Sequence, residues 1–235
     1  MAGSSHYTLP HLIHNGRMEH RRTPSLLAVA LCWAIASAAP LSGQLASRPA
    51  EEWIKTLDGT TRVATLKIEE VVAAMQLKAG QTVADIGAGT GLLSVPVAKA
   101  VGPRGRVFAV EIDAGFFPVI KKRADDNGVT NIQTVLGSFT DPKLPVTTVD
   151  LAFFHDVLHH VDRRGEYLKT LAKYIAPGGR IFVVDFEGGK GPHVQQPELQ
   201  VSREQLAAWM KDAGFTQVAD AKLFDDKFVL TFARK

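Results

Sequence analysis

The chain has 235 residues, of which 46% are hydrophobic and 22% are charged. This length and composition are typical of one α/β domain with a full hydrophobic core, and they argue against a disordered chain. The 27 Lys and Arg residues outnumber the 24 Asp and Glu residues by only three. Most of this excess lies in residues 1–38, and the nearly neutral remainder argues against a folded-domain surface that binds nucleic acid or anionic membranes.

The N-terminal segment, residues 1–38, has the layout of a secretory signal. Arginines between positions 17 and 22 precede an apolar run at 25–39 that ends in small residues. A basic start, a short apolar middle and a small-residue cleavage site follow in this order in such signals. The run is shorter than the roughly 20 residues that span a bilayer. We therefore expect a cleaved signal and an exported protein. The alternatives are an uncleaved membrane anchor and, if the segment does not function, a cytoplasmic protein.

The same segment carries much of the basic excess and the only cysteine. Removing residues 1–38 takes away three Arg and one Glu, which leaves 24 basic and 23 acidic side chains. Cys32 would leave with the apolar run, so the remaining chain would have no disulfide, thiolate metal site or cysteine nucleophile. Met18 is an alternative start, because it would give the signal a shorter basic region.

Beyond a linker or helix at 39–59, helical and strand patterns alternate along the chain. Apolar residues at helical spacing predict a helix over 62–77. The further predicted helices cover 90–102, 115–128 and 164–175. The predicted strands cover 82–86, 105–113, 131–137, 149–157, 180–186, 215–224 and 227–235. Strands that are continuous apolar runs and alternate with helices predict a parallel sheet covered on both faces.

Three glycines follow the first strand, where such sheets bind ligands at the carboxyl ends of their strands. Gly87, Gly89 and Gly91 allow positive φ and let a ligand lie against bare backbone. The dinucleotide fingerprint would need glycine where Leu92 stands, which disfavours an NAD-dependent oxidoreductase. Glu111 ends the second strand about 20 residues later, the position from which an acid accepts hydrogen bonds from ribose hydroxyls.

These motifs resemble the class I S-adenosylmethionine-dependent methyltransferases. The resemblance covers about residues 60–235 and rests on "VADIGAGTG", "GRVFAVEID", "VDLAFFHDVLHHV" and "LAKYIAPGGRIFVVDF", in the order and spacing of the family. It implies a three-layer Rossmann-like α/β fold with a mostly parallel seven-stranded sheet and an antiparallel last strand. It also implies S-adenosyl-L-methionine as the cofactor.

The resemblance also implies which residues hold the cofactor. Asp85, Gly87 and Gly89 would surround its methionine portion, with Ala88 and Gly91 in the same turn. The remaining implied contacts are Glu111 on the ribose, Ile112, Ser138 and Phe139 near the adenine, and Phe154 with His155 at the sulfonium end. Many family members have an acid where Ser138 and Phe139 stand, so we expect Phe139 to stack on the adenine or Asp141 to replace that acid.

Four polar residues in "HDVLHH" are candidates for a general base. His155, Asp156, His159 and His160 would lie near the carboxyl edge of the sheet, where a base could deprotonate the acceptor. The alternative is that they cap the next helix or shape the pocket. On a helix the two adjacent histidines would point about 100° apart, so no metal site is predicted. In the loop at 187–198, His193 lines the acceptor pocket or is solvated.

The sequence thus predicts a methyltransferase that acts on a small-molecule or lipid acceptor. The alternatives are an exported, non-catalytic binding module that retains the fold and, less favoured, an NAD-dependent oxidoreductase. The expected partners are the acceptor and, through the N-terminal segment, a membrane, but not nucleic acid. We expect the helix over 60–77 to cover the cofactor as a lid, with Trp53 and Ile54 contributing to this cover or to the core.

Overall fold

The computed structural model describes residues 49–234, and the predictions for residues 1–38, including the signal and Cys32, lie outside this range. The strands are β1 (Thr82–Ile86), β2 (Arg106–Glu111), β3 (Ile132–Leu136), β4 (Val149–His155), β5 (Ile175–Phe186), β6 (Phe215–Asp220) and β7 (Lys227–Arg234). The helices are α1 (Ala50–Leu57), α2 (Thr60–Thr65), α3 (Ile68–Ala74), α4 (Ser94–Val101), α5 (Phe117–Asp126), α6 (Arg164–Ala172) and α7 (Arg203–Asp212).

The seven strands form one sheet in the order β3-β2-β1-β4-β5-β7-β6. β7 runs antiparallel to both of its neighbours, and the other paired strands are parallel. This arrangement confirms the predicted fold class. Because β1 pairs with β2 on one side and β4 on the other, its carboxyl end lies at the switch point, where a crevice opens in such sheets.

Helices cover both faces of the sheet, which explains why its central strands are apolar throughout. Successive side chains of a strand point to opposite faces. Phe153 therefore packs in the cluster that contains α3 and α4, whereas Phe154 packs in the cluster that contains α6 and α7. Both rings are fully buried. Within residues 49–234, no helix combines the length and the apolar character that crossing a membrane requires.

The structure differs from the predicted elements in three places. The helix predicted over 62–77 is broken between α2 and α3, where Lys67 has a φ of 47° and buried Leu66 turns inward. β5 begins at Ile175 and runs through the segment predicted to precede it, with a register shift against β4. Helix α7 was missed, although Ser202 and Gln205 form the capping box that could have indicated it.

Candidate cofactor and acceptor site

A crevice opens above the carboxyl ends of β1, β2 and β4, and the glycine turn forms its floor. The backbone N–H groups of Gly87 and Ala88 both donate to the Val110 carbonyl, at 2.9 and 3.0 Å, which ties the turn to β2. Gly87 has a φ of 73°, and a Cβ atom there would lie 2.4 Å from Val157 Cγ2. Only glycine therefore fits this position, and the main chain stays bare at the crevice.

Asp85 lies under the turn at the end of β1. Its side chain is buried and accepts a hydrogen bond from Ser94 Oγ at 2.6 Å. Burial raises the pKa of Asp85 to about 7; the Ser94 hydrogen bond opposes this shift, and the charge of Glu111 adds to it. In the described part of the chain, no cation forms an ion pair with this carboxylate. The site thus contains a buried acid that has no counterion among residues 49–234.

Glu111 lies at the end of β2 and faces the glycine turn. One carboxylate oxygen accepts from Gly89 N at 2.6 Å, and the other accepts from Ile112 N at 3.1 Å. Burial raises the pKa of Glu111 to about 6, against the opposing effect of these two backbone hydrogen bonds. The predicted ribose acid is therefore already held in place by the backbone around it.

Helix α1 covers the turn, and its end is tied to the structure below. Trp53 and Leu57 line the crevice. The Asp58 carboxylate after the helix accepts from Thr90 Oγ1 at 2.6 Å and from Arg123 Nη2 at 2.7 Å. Arg123 Nε also donates to the Thr90 carbonyl at 2.8 Å. Sequence reasoning missed the Asp58–Arg123 pair, because the two residues are far apart in the chain.

The predicted lid is only partly in the predicted place. From α2 and the turn after it, Arg62 and Leu66 line the crevice. By contrast, α3 packs with Val71 and Met75 in the core cluster that contains α4. The cover over the crevice is thus made of α1 and α2 rather than of one helix over 60–77.

At the side of the crevice predicted for the adenine, the lining includes Ile112, Ser138 and Phe139. The Ser138 hydroxyl is bonded to the backbone of Asp141, and the Asp141 carboxylate accepts from Tyr174 and from Lys143 N. Asp141 is not among the residues that line the crevice, whereas Phe139 is, so Phe139 is the side chain placed where it could stack on a nucleobase.

Two residues predicted to contact the cofactor lie outside the crevice lining. Phe154 is fully buried and packs edge-on against Tyr167, with ring centroids 6.3 Å apart. Gly91 faces Ile120 of α5, where a Cβ atom would be in van der Waals contact. The strand pleat explains the first difference, since it turns Phe154 toward the helix layer and leaves His155 at the crevice.

His155 and Asp156 form a buried polar pair on the crevice wall. Asp156 has a φ of 55°, and its Oδ2 atom accepts from Lys227 Nζ at 2.6 Å and lies 3.5 Å from His155 Nδ1. Within residues 49–234, neither His155 Nε2 nor Asp156 Oδ1 has a hydrogen-bond partner, although both atoms are buried. Lys227, which sequence reasoning missed, comes from β7 and carried no local signal.

The pKa shifts of this pair have opposing causes. Burial lowers the pKa of His155, and the nearby cation Lys227 lowers it further, against the effect of Asp156. Burial works to raise the pKa of Asp156, but the charge that His155 carries when protonated and the charge and hydrogen bond of Lys227 outweigh it, so the pKa is lowered. The pair is therefore held as a neutral imidazole beside an ionised carboxylate.

The two adjacent histidines do not point apart as predicted for a helix. They lie on a 3₁₀ turn, Leu158–His160, and their ring centroids are 4.1 Å apart. His160 lines the crevice, whereas His159 is buried behind it and bonds Asp185 Oδ1 through Nδ1 at 2.6 Å. Burial, together with His159 and His193, lowers the pKa of His160 to about 3. Asp185, on β5, was missed.

Comparison with known proteins agrees with this architecture. Residues 84–183 match a family model described as a methyltransferase domain. A stretch of 111 residues is 31% identical to a ubiquinone/menaquinone biosynthesis C-methyltransferase of Pseudomonas putida, and it covers 47% of this chain and 43% of that protein. For the protein of the same name from Hahella chejuensis, the identity is 29% over 51% of this chain and 49% of the relative. The chain thus spans less than half the length of these relatives.

Solved structures share the fold. A SAM-dependent methyltransferase from Aquifex aeolicus superposes with a TM-score of 0.70 at 24% identity, covering 78% of this chain and 98% of that one. A magnesium protoporphyrin IX methyltransferase from Synechocystis with bound SAM gives 0.61 at 20% identity, covering 79% and 90%.

The strand order, the glycine turn and the acid at the end of β2 define a methyltransferase-type α/β domain. Residues 84–183, which contain the glycine turn and the acid at the end of β2, match the model of this domain family.

Proposed function

We propose that this protein transfers the methyl group of S-adenosylmethionine to a small-molecule or lipid acceptor that carries a hydroxylated ring of the quinol type. The proposal rests on two buried polar atoms, His155 Nε2 and Asp156 Oδ1, which have no hydrogen-bond partner within residues 49–234. Both residues line the same crevice as the glycine turn. Buried polar atoms without partners are rare in native proteins and call for an explanation. A bound acceptor would supply the missing partners.

The described residues fit the cofactor. Position 87 accepts only glycine, because a Cβ atom there would clash with Val157. With no side chain in the way, a ligand can approach the backbone of the turn closely. The buried Asp85 carboxylate forms no ion pair with any residue that the structure describes, and the ammonium group of the methionine portion would supply a cation. Glu111 would accept from the ribose hydroxyls, and Phe139 would cover the nucleobase. Gly89 would lie beneath the same portion as Asp85.

The lining of the rest of the crevice suits a ring. Apolar and aromatic side chains surround the space beside His155, among them Trp53, Leu66 and Tyr167. Arg62 from α2 lies in the same wall and donates to the Leu57 carbonyl at 2.9 Å. Pockets of this kind bind an apolar body and orient it through a few polar groups. The relatives from Pseudomonas putida and Hahella chejuensis are named ubiquinone/menaquinone biosynthesis C-methyltransferases, and these names point to the same acceptor class.

The cofactor, when bound, supplies an electrophilic methyl group on a sulfonium. The protein holds the acceptor in line and excludes water with α1 and α2, and such positioning lowers a barrier by about 7 to 11 kcal/mol at most. His155 is neutral at pH 7, and its Nδ1 faces the Asp156 carboxylate, which favours the proton on Nδ1. Nε2 is then free to accept the proton that the acceptor loses, and Lys227 balances the charge of Asp156.

The test combines cofactor binding with turnover. Purified protein is titrated calorimetrically with S-adenosylhomocysteine and then assayed with methyl-labelled cofactor against a panel of quinols, catechols and their methyl-blocked analogues. We expect labelled product from quinols, and a fall in kcat of about 100-fold or more in His155→Asn. Affinity for S-adenosylhomocysteine should change little in this variant, because His155 faces the acceptor. Absence of cofactor binding at millimolar concentration would refute the proposal, whereas binding without turnover on any acceptor would favour a binding module.

We also propose that residues 1–38 direct export. The proposal is supported by the basic residues that precede a short apolar run. N-terminal sequencing of the protein produced in its own cell tests it. An unprocessed chain recovered in the cytosolic fraction would contradict it.

A further inference from the structure

Three histidines from two separate segments meet at one end of the crevice. His159 and His160 lie on the 3₁₀ turn after β4, and His193 lies in the loop between β5 and α7. The centroid of the His193 ring is 5.1 Å from that of His159 and 5.0 Å from that of His160. Each side chain offers one ring nitrogen, and these nitrogens all lie within 4.8 Å of one another. We call this group the histidine cluster.

Hydrogen bonds orient two of the three rings in the way that metal sites require. His159 Nδ1 bonds Asp185 Oδ1 at 2.6 Å, and His193 Nδ1 bonds Gln196 Oε1 at 2.6 Å. In both pairs the oxygen is an acceptor, so the imidazole carries its proton on Nδ1 and leaves the Nε2 lone pair free. Histidines that ligate metals almost always donate their other ring nitrogen to a carboxylate or carbonyl oxygen.

The Asp185 carboxylate is held more firmly than a surface acid would be. It is buried, and it also accepts from the backbone N–H of His159 at 3.0 Å and from that of Phe186 at 2.8 Å. It supplies a negative charge beside the cluster. Arg164, a cation beside the cluster, donates to the backbone carbonyls of Leu158, His159 and Glu198.

We propose that the histidine cluster binds one divalent first-row transition-metal ion of the Zn²⁺ type. Zinc–nitrogen bonds are about 2.0 to 2.1 Å long, which places the nitrogens of a tetrahedral site about 3.4 Å apart. The rings therefore have to approach one another by at most about 1.4 Å, and the loop that carries His193 can follow. Three protein ligands leave a fourth position open. Because His160 lines the crevice, a water molecule or an oxygen of the acceptor can take that position.

This site is separate from the proposed cofactor contacts. None of the three histidines belongs to the glycine turn or to the end of β2, and His193 does not line the crevice. Metal binding can therefore be measured without turnover. It also differs from the expectation of no metal site, which assumed that adjacent histidines diverge on a helix.

The test measures metal binding by the full chain. Chelator-treated protein is titrated with Zn²⁺ against a competing chelator, and with Co²⁺, whose visible absorption reports tetrahedral coordination. We expect one tight equivalent in the wild type and a loss of at least about 100-fold in affinity for His193→Ala. Gln196→Ala, which removes only the orienting oxygen, should weaken binding by about tenfold.

Four other histidines, His6, His11, His14 and His20, lie near the start of the chain and could bind metal themselves. A variant with these four changed to Gln must keep the tight equivalent. Zn²⁺ should raise the melting temperature of the wild type but not that of His193→Ala. The melting temperature of metal-free His193→Ala, compared with metal-free wild type, checks that the variant is folded. Equal affinity and stoichiometry in wild type and His193→Ala would overturn the proposal, as would the absence of a tight equivalent in the wild type.

Discussion

Replacing Asp85 by Asn removes a buried charge, and we expect it to change how the stability of the protein depends on pH. Burial raises the pKa of Asp85 from 3.8 to about 7. The folded state therefore holds a proton that the unfolded state releases between about pH 4 and pH 7. Its free energy of unfolding should fall as pH rises through this window.

The size of the effect follows from the shift. A shift of one pKa unit corresponds to about 1.36 kcal/mol, so the ionised form of Asp85 costs up to about 4 kcal/mol at pH 8. Asn keeps the acceptor for Ser94 Oγ without the charge. We therefore expect Asp85→Asn to be more stable than the wild type by up to this amount at pH 8. At pH 4 the two proteins should have similar free energies of unfolding.

Urea unfolding from pH 4 to pH 8 without cofactor measures the difference. Asp125→Asn is the control, because Asp125 pairs with Lys121 on the exposed face of α5, where such pairs contribute less than about 0.5 kcal/mol. Its pH profile should run parallel to that of the wild type. A parallel profile for Asp85→Asn would refute the reasoning. Asp85→Asn should also bind S-adenosylhomocysteine at least about tenfold more weakly than the wild type, since the ammonium group of the ligand loses its counterion.

Three further predictions concern the floor and the cover of the crevice. Gly87→Ala should weaken S-adenosylhomocysteine binding and should destabilise the protein more than Gly128→Ala does. Both glycines have positive φ, which costs about 1 to 2 kcal/mol for Ala. Of the two, only a Cβ atom at position 87 would also clash with a side chain, that of Val157. Calorimetry and urea unfolding compare the two. Because the pKa values of Asp85 and Glu111 are raised to about 7 and about 6, wild-type cofactor affinity should fall in two steps as the pH drops below them. Glu111→Gln should bind at least about tenfold more weakly at pH 8 and should keep only the step near pH 7. Asp58→Asn weakens the contact with Arg123 that holds the end of α1 against the glycine turn. We expect the cofactor to dissociate several-fold faster in stopped-flow fluorescence, at a cost of about 1 kcal/mol or less in stability. An unchanged dissociation rate would show that this contact does not keep α1 over the crevice.

The fold could be predicted from the sequence because its signals are local. Continuous apolar strands, glycine turns and alternating helices fix a doubly covered parallel sheet, and the sheet places Asp85 and Glu111 at one edge. Missed or misplaced elements have equally physical causes. The helix predicted over 62–77 is broken at Lys67, whose φ of 47° is left-handed, and Leu66 just before it is buried and lines the crevice.

The composition of the site was less predictable, because contacts between distant segments complete it. The sequence singled out His155, Asp156, His159 and His160 together, but it could not separate them. The pleat of β4 and the 3₁₀ turn after it turn His155 and His160 to the crevice and His159 toward Asp185.

By itself, then, the sequence determined the architecture, the glycine turn and the acid that follows it, because periodicity and spacing along a strand are properties of neighbouring residues. Only the tertiary structure decided that Lys227 pairs with Asp156 and that His193 reaches the 3₁₀ turn. These contacts depend on strand order and on the path of a loop, and no short stretch of sequence encodes either one.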